Sequence, residues 1–273
     1  MTNLTAFIDG VGMLGPGIAN WPEAAQLLAG KTAYVQQRTV LPVPSALPPA
    51  ERRRTVATVK IALAIGSEAA HASARDPAAL NTVFTASGGD GENCHVVCET
   101  LAGDDRALSP TRFHNSVHNA PAGYWGIATH SMTPANVLCA YDGSFAAGLL
   151  ESVCQVAIDA EPTLLIAFDV AYPPPIRDVR PIEDAFGVAL VLTPQAGERT
   201  LARIEVGLTD APSTLLALPP FEAMRRSNPA ARALPLLEAL ATQRSASLVL
   251  DYLDDIRLGV KVEMSHPDGE PGS

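Results

Sequence analysis

The sequence has 273 residues, of which 47% are hydrophobic, and carries a formal net charge of −10. A chain of this size and composition buries a sizeable core, which excludes a disordered or fibrous protein. Its apolar runs are broken by Gly, Pro or charge before they reach the ~20 residues of a membrane-spanning helix, and its acidity argues against a nucleic-acid surface.

The opening "LTAFIDGVGMLG" reads as a buried strand leaving through Gly10, Gly12 and Gly15 into a loop, and "WPEAAQLLAG" as a short amphipathic helix ending at Gly30. Residues 36–50 carry four prolines, which predicts a surface excursion. The basic cluster "ERRRT", Glu51 to Thr55, reads as the solvated start of the alanine-rich helix "RRRTVATVKIALAIGSEAAHASA". "NTVFTAS" is the next strand, "GGDGEN" its closing loop and "NCHVVCETLAG" a helix. A loop and polar segment, "SPTRFHNSVHNAPAGYWGIATH", leads to the apolar strand "ANVLCAY" and a helix over 143–159. Strand "TLLIAFDVAY", a break at Pro173 to Pro175 and strand "AFGVALVLT" follow. The remainder gives strand "TLARIEVGL", a loop, helix "NPAARALPLLEALATQ", strands "SASLVLDYL" and "IRLGVKVEM", and a disordered tail over 265–273. Such alternation predicts a mixed sheet covered by helices on both faces.

The N-terminus lacks the basic start and cleavage site of a secretory signal, so a cytoplasmic protein is expected. Cys94, Cys98, Cys139 and Cys154 are too sparse for a disulfide framework. "CHVVC" sets Cys94 and Cys98 on one helix face beside His95, but no further ligand is spaced to complete a zinc site; packing is expected there, and no metal. "FHNSVHN" offers His114 and His118, read as structural hydrogen bonding with pocket lining as the functional alternative. "TASGGD" lacks the spacing of a phosphate cradle. Asp142 and Ser144 flank a helix start and read as caps. The stripe Phe145, Ala146, Leu149, Leu150, Val153, Cys154 and Ile158 has helical spacing and reads as core.

In order along the chain, "FIDGVGMLGPG", "PPAERRRTVATVKIALAIGSEA", "VFTASGGDGENCHVV" and "VALVLTP" resemble parts of the amino-terminal half of the thiolase-fold β-ketoacyl synthases. They match its opening strand and glycine turn, first long helix, second strand with glycine loop, and closing strand. The resemblance covers residues 4–195. "SPTRFHNSVHNAPAGYWGIATH" and "CAYDGSFAAGLLE" are similar to the short ketosynthase-like proteins of aryl-polyene gene clusters, chain-length factors that partner a catalytic ketosynthase. What the resemblance implies is a thiolase-like layered α/β/α fold with mixed sheets. It divides into a complete N-terminal half, 1–195, and an abbreviated C-terminal half, 196–264, packed on it.

The family's nucleophilic cysteine stands at the tip of the third strand, where backbone N–H groups and a helix dipole stabilise a thiolate. The family's spacing, anchored on Gly148 or on Gly143, lands on Ala140. Cys139 falls one residue early, where strand alternation points its side chain elsewhere. Family condensation also uses two C-terminal histidines. Of His71, His95, His114, His118, His130 and His266, only His266 lies past residue 130.

The expectation is therefore a degenerate nucleophile region, Cys139, Ala140, Tyr141 and Asp142, with no catalytic residue and with Tyr141 occluding the pocket. The function implied is a non-catalytic, chain-length-factor-like subunit in fatty-acid or polyketide-type (aryl polyene) biosynthesis. It pairs with a catalytic β-ketoacyl synthase as a heterodimer, meets an acyl carrier protein through that partner, and needs no cofactor. Phe113, Tyr124, Trp125, Met132, Val137 and Cys139 are the tunnel or interface candidates, and "ANVLCAY" the edge strand that meets the partner. Two alternatives stay open: a cysteine-dependent acyltransferase or condensing enzyme using Cys139, and a homodimeric module binding acyl chains or acyl carrier protein.

Overall fold

The computed structural model describes residues 4–265, so His266 and the expected tail beyond Ser265 lie outside the described residues. In chain order the elements are β1 (Leu4–Leu14), α1 (Trp21–Leu28), α2 (Pro49–Arg52), α3 (Ala57–Ala72), β2 (Asn81–Thr85), α4 (Gly91–Ala102), α5 (Pro110–Asn115), α6 (Ala120–Thr129) and β3 (Ala135–Leu138). There follow α7 (Ser144–Asp159), β4 (Thr163–Asp169), α8 (Ile176–Val179), β5 (Phe186–Thr193), β6 (Ala202–Thr209), α9 (Pro219–Ser227), α10 (Leu234–Thr242), β7 (Ala246–Leu250) and β8 (Arg257–Met264).

All eight strands form one mixed sheet in the order β3-β2-β4-β5-β1-β6-β8-β7. Strands β3, β2 and β4 run parallel, and the rest pair antiparallel. One face carries α1, α7, α9 and α10 over a core that includes Phe145, Leu149, Phe221 and Leu237; the other carries α3 and α6 over Ile61, Ile65 and Trp125. The C-terminal strands extend this same sheet through the β1·β6 pairing. Among the described residues no helix is long and apolar enough to cross a membrane.

The glycines of β1 do not end it. A Cβ on Gly12 would lie 2.0 Å from the Ile65 carbonyl oxygen and one on Gly10 2.3 Å from that of Ala69. The strand thus runs on beneath α3, and its glycines let helix backbone approach strand backbone. Glu68 of α3 fixes the next turn, accepting from Met13 N–H (2.9 Å) and Trp21 N–H (2.7 Å). Helix α1 then starts at Asn20, whose side chain accepts from Glu23 N–H (2.9 Å), as expected of an N-cap.

Several expectations are corrected. The "ERRRT" cluster precedes α3 in a separate turn, and Arg52 donates to the carbonyls of Ser45 (3.1 Å) and Leu47 (2.9 Å), tying down the proline-rich segment. The segment 109–130 is not a loop but α5 and α6; Ser109 caps the first, and α6 is held by apolar Tyr124 and Trp125. Helix α9 stands where a loop was expected. Only Phe221, Met224 and Arg225 turn inward there, and the buried Arg225 is neutralised by Glu222 (2.8 Å) and Asp251. Cys94 and Cys98 are exposed on α4 rather than packed. In α7 the stripe holds except at Ile158, 74% exposed, because Val156 takes the buried place near the helix end.

Replacing Gly12 with Ala is expected to cost at least the ~1–3 kcal/mol of an overpacked core, because the obstacle is backbone. Gly123→Ala on α6, where a Cβ meets nothing within 4 Å, should instead stabilise by about 0.5–1 kcal/mol. Chemical denaturation of the two variants checks this, and equal midpoints would refute the packing role of Gly12.

Candidate functional site

The parallel strands β3, β2 and β4 end together, the place where open α/β sheets bind ligands, and the segments leaving them meet there. Strand β3 stops at Leu138, three residues short of the expected "ANVLCAY", so alternation does not set the direction of Cys139. The chain turns because Ala140 N–H donates to Ser144 Oγ (3.0 Å) and Gly143 N–H to the Ala140 carbonyl (2.9 Å). Thr85 Oγ1 donates to the Ser144 carbonyl (2.7 Å), anchoring the start of α7 to β2.

Tyr141 forms the tip of this elbow. Its φ of 51° lies in the left-handed region, which is costly for a bulky residue, so the surroundings must impose it. The side chain is 62% exposed and lies under the Arg180 guanidinium, 3.7 Å from its ring centroid. Neither Asp142 nor Ser144 caps α7 with its side chain. Asp142 instead bridges Arg180 (2.7 Å) and Arg232 (3.1 Å). Cys139 is exposed, and its thiol donates to the Ser87 carbonyl (3.3 Å), an acceptor unable to take up the proton.

Behind the elbow, Asp169 at the end of β4 is buried and accepts from Ser87 N–H (2.9 Å), Ser87 Oγ and Ala230 N–H (3.0 Å). It thereby ties the glycine loop after β2 to the segment after α9. Tyr172 fills that loop, its ring so close that a Cβ on Gly91 would meet it at 2.3 Å. His118 is half-buried beside the Ala86 backbone, burial pushing its imidazole pKa down, while His114 meets the Tyr124 ring edge-on at 6.1 Å. The two histidines thus serve separate contacts.

The remaining candidates scatter. Phe113 (63%) and Met132 (96%) are exposed, and Val137 is half-buried on β3. Tyr124 and Trp125 are 2% exposed, with Trp125 wedged against Gly66 of α3 and edge-on to Phe84 at 6.4 Å, so both belong to the core. Sequence reasoning missed Ser87, Asp169, Tyr172, Arg180 and Arg232. The signal for Asp169 was present, a carboxylate closing the apolar run "TLLIAFD"; Arg180 sits in a segment with no periodicity, and Arg232 in the helix expected over "NPAARALPLLEALATQ", where nothing marks it as a site residue.

Burial pushes the Asp169 carboxyl up to about 6, against the Ser87 and Ala230 donors that pull it down. The folded chain therefore holds this proton more tightly than the unfolded one, where aspartate titrates near ~3.9. Stability contributed at Asp169 is full at acid pH, falls as pH rises from about 4 to about 6, and is flat above. Asp169→Asn keeps an acceptor for Ser87 and leaves Ala230 N–H its second acceptor, Asn228 Oδ1 (3.1 Å). Denaturation across that range should show the slope reduced in the variant, and an unchanged slope would refute the assignment.

Comparison with known proteins matches residues 20–251 to the family described as β-ketoacyl synthase, N-terminal domain. Among solved structures, the ketosynthase (ApeO) in complex with its chain length factor (ApeC) from Xenorhabdus doucetiae is similar at TM-score 0.72 and 20% identity, over 94% of this chain and 99% of that one. The ishigamide ketosynthase/chain length factor is similar at TM-score 0.72 and 14% identity, over 95% and 99%. A β-ketoacyl synthase from Burkholderia phymatum STM815 is similar at TM-score 0.64 and 10% identity, over 97% and 100%. No curated protein matches in sequence. Because the family match spans most of the residues that build the sheet, its helices and the elbow, the chain belongs to the β-ketoacyl synthase N-terminal domain family and has its thiolase-like α/β fold.

Proposed function

We propose that the chain is a non-catalytic, chain-length-factor-like partner of a β-ketoacyl synthase in polyketide-type, aryl-polyene or fatty-acid synthesis, shaping the acyl tunnel of the complex. We read residues 1–195 as its ketosynthase-like half and 196–264 as an abbreviated second half packed on it. The observation that carries the reading is the free edge of β3, which leads directly into the elbow. Thr82 N–H donates to the Pro134 carbonyl (3.0 Å) and Ala86 N–H to that of Leu138 (3.4 Å). In a parallel ladder this phase turns the N–H and C=O groups of Ala135 and Val137 outward, away from β2. Among the described residues no strand pairs with that side. Such an edge is a template for another chain's backbone.

Two further features support a partner role over catalysis. The tip of the elbow is a tyrosine, and the neighbouring thiol is tied to a carbonyl. The similar structures named above include complexes of a ketosynthase with its chain length factor. By analogy the active partner is a full β-ketoacyl synthase that brings the acyl carrier protein, and the pair works in the cytoplasm. Phe113 and Met132, both exposed and the second three residues ahead of β3, are the side chains we assign to setting tunnel length.

Val137→Pro deletes an outward N–H without touching the β2 ladder, so native mass spectrometry with the cognate ketosynthase should show a 1:1 complex for the parent and its loss in the variant. A parent chain that forms only homodimers would favour the binding-module alternative. Cys139→Ala should leave product formation by the reconstituted pair nearly unchanged. A loss of several orders of magnitude with folding intact, or a stable acyl adduct on Cys139, would favour the acyltransferase alternative. Met132→Ala should lengthen the product profile, whereas Trp125→Ala, which hollows the core, should cost ~3–5 kcal/mol and lower the yield of every product alike.

A further inference from the structure

Beside the elbow lies a cavity of about 110 Å³ whose walls include Asp142, Arg180, Arg226, Ser227 and Arg232. Arg180 and Arg232 share the single carboxylate of Asp142, and Arg226, itself paired with Glu222, joins them in the lining, so arginines outnumber carboxylates at this wall of a chain whose net charge is −10. Asp142 does not exhaust them. It accepts one N–H from Arg180 (2.7 Å) and one from Arg232 (3.1 Å), and each guanidinium has five. Arg180 Nε is buried with no hydrogen-bond partner. Arg226 commits its Nε to Glu222 (2.7 Å), which leaves its terminal nitrogens at the rim. Asp169 stands behind Arg180 and outside the cavity wall.

Guanidinium forks approaching from several sides suit an anion with oxygens in several directions. We propose that this cavity is a binding site for one phosphate group. Asp142 acts there as a positioning residue that holds Arg180 and Arg232 apart and pointed inward. Pro181 and Pro229 stiffen the walls. The same Arg180 lies over Tyr141, so a bound phosphate fastens the tip of the elbow in place.

The phosphate has two possible sources, free phosphate or the phosphate ester of a pantetheine arm, the second resting on the carrier-protein reading above. The test uses the full chain alone. Thermal unfolding and calorimetry are followed with inorganic phosphate, pantetheine 4′-phosphate, pantetheine and acetate at matched ionic strength. Phosphate and the phosphate ester should bind saturably, and acetate and pantetheine should not. Tighter binding of the ester than of phosphate identifies the arm as the source; equal binding identifies free phosphate. Arg226→Gln and Arg232→Gln should each weaken binding at least tenfold, about 1.4 kcal/mol. If Arg232→Gln unfolds, Arg226→Gln at the exposed rim carries the test. No saturable response above sodium chloride, acetate equal to phosphate, or unchanged affinity in Arg226→Gln would overturn the site. No ketosynthase is present, so such a failure leaves the pairing experiment with Val137→Pro untouched.

Discussion

The close approach of α3 to β1 is the constraint on which the rest of the structure depends. Ile65 and Ala69 present main-chain carbonyls where any side chain at Gly12 or Gly10 would stand, so the helix lies on bare strand backbone. From that depth Ile61 and Ile65 reach Gly187 of β5, and Gly66 on another side of the helix receives Trp125 of α6. The helix is therefore buried both against the sheet and against its neighbour; a methyl added at Gly10 or Gly12 would push on backbone, and one at Gly66 or Gly187 on tightly packed side chains. Glu68, on the same helix, then fixes where β1 ends and α1 begins.

That packing fixes the sheet, and the sheet delivers three parallel strand ends to one place. What happens there depends on residues from the end of the chain. Gly143 of the elbow lies under the Tyr252 backbone, where a Cβ would meet the carbonyl oxygen at 2.3 Å. Arg232 reaches Asp142, and Ala230 N–H reaches Asp169. The short C-terminal part thus extends the sheet and clamps the elbow. Its strands cover the β1 side, so among the described residues the sheet ends in β3 on one side and β7 on the other.

At the elbow, strand, turn and helix have the form that in many enzymes exposes a nucleophile, yet the tip is Tyr141 under Arg180, and the Cys139 thiol, one residue beyond the strand, donates its hydrogen bond to the Ser87 carbonyl. Cationic side chains that would stabilise a thiolate in another protein are here committed to Asp142 and to the small cavity behind it.

What the sequence by itself determined was the order and kind of the main elements, because each carries its own periodicity. The apolar runs in β4 and β5 could be buried only in a sheet covered on both faces, and the alanine-rich α3 and the stripe of α7 could only be core helices. The absence of downstream histidines through residue 265 was likewise legible at once. Tertiary structure alone decided the rest. Gly10 and Gly12 looked like a strand end because glycine signals either freedom or closeness, and only the helix above them shows which. Trp125, a tunnel or interface candidate from sequence, is core; Cys94 and Cys98, expected to pack, are exposed; and β3 ends at Leu138 because Ser144, six residues on, captures the backbone that would have continued it. Asp169, Arg180 and Arg232 come from segments far apart in the chain, and no local pattern encodes a contact whose partners are brought together only by the sheet.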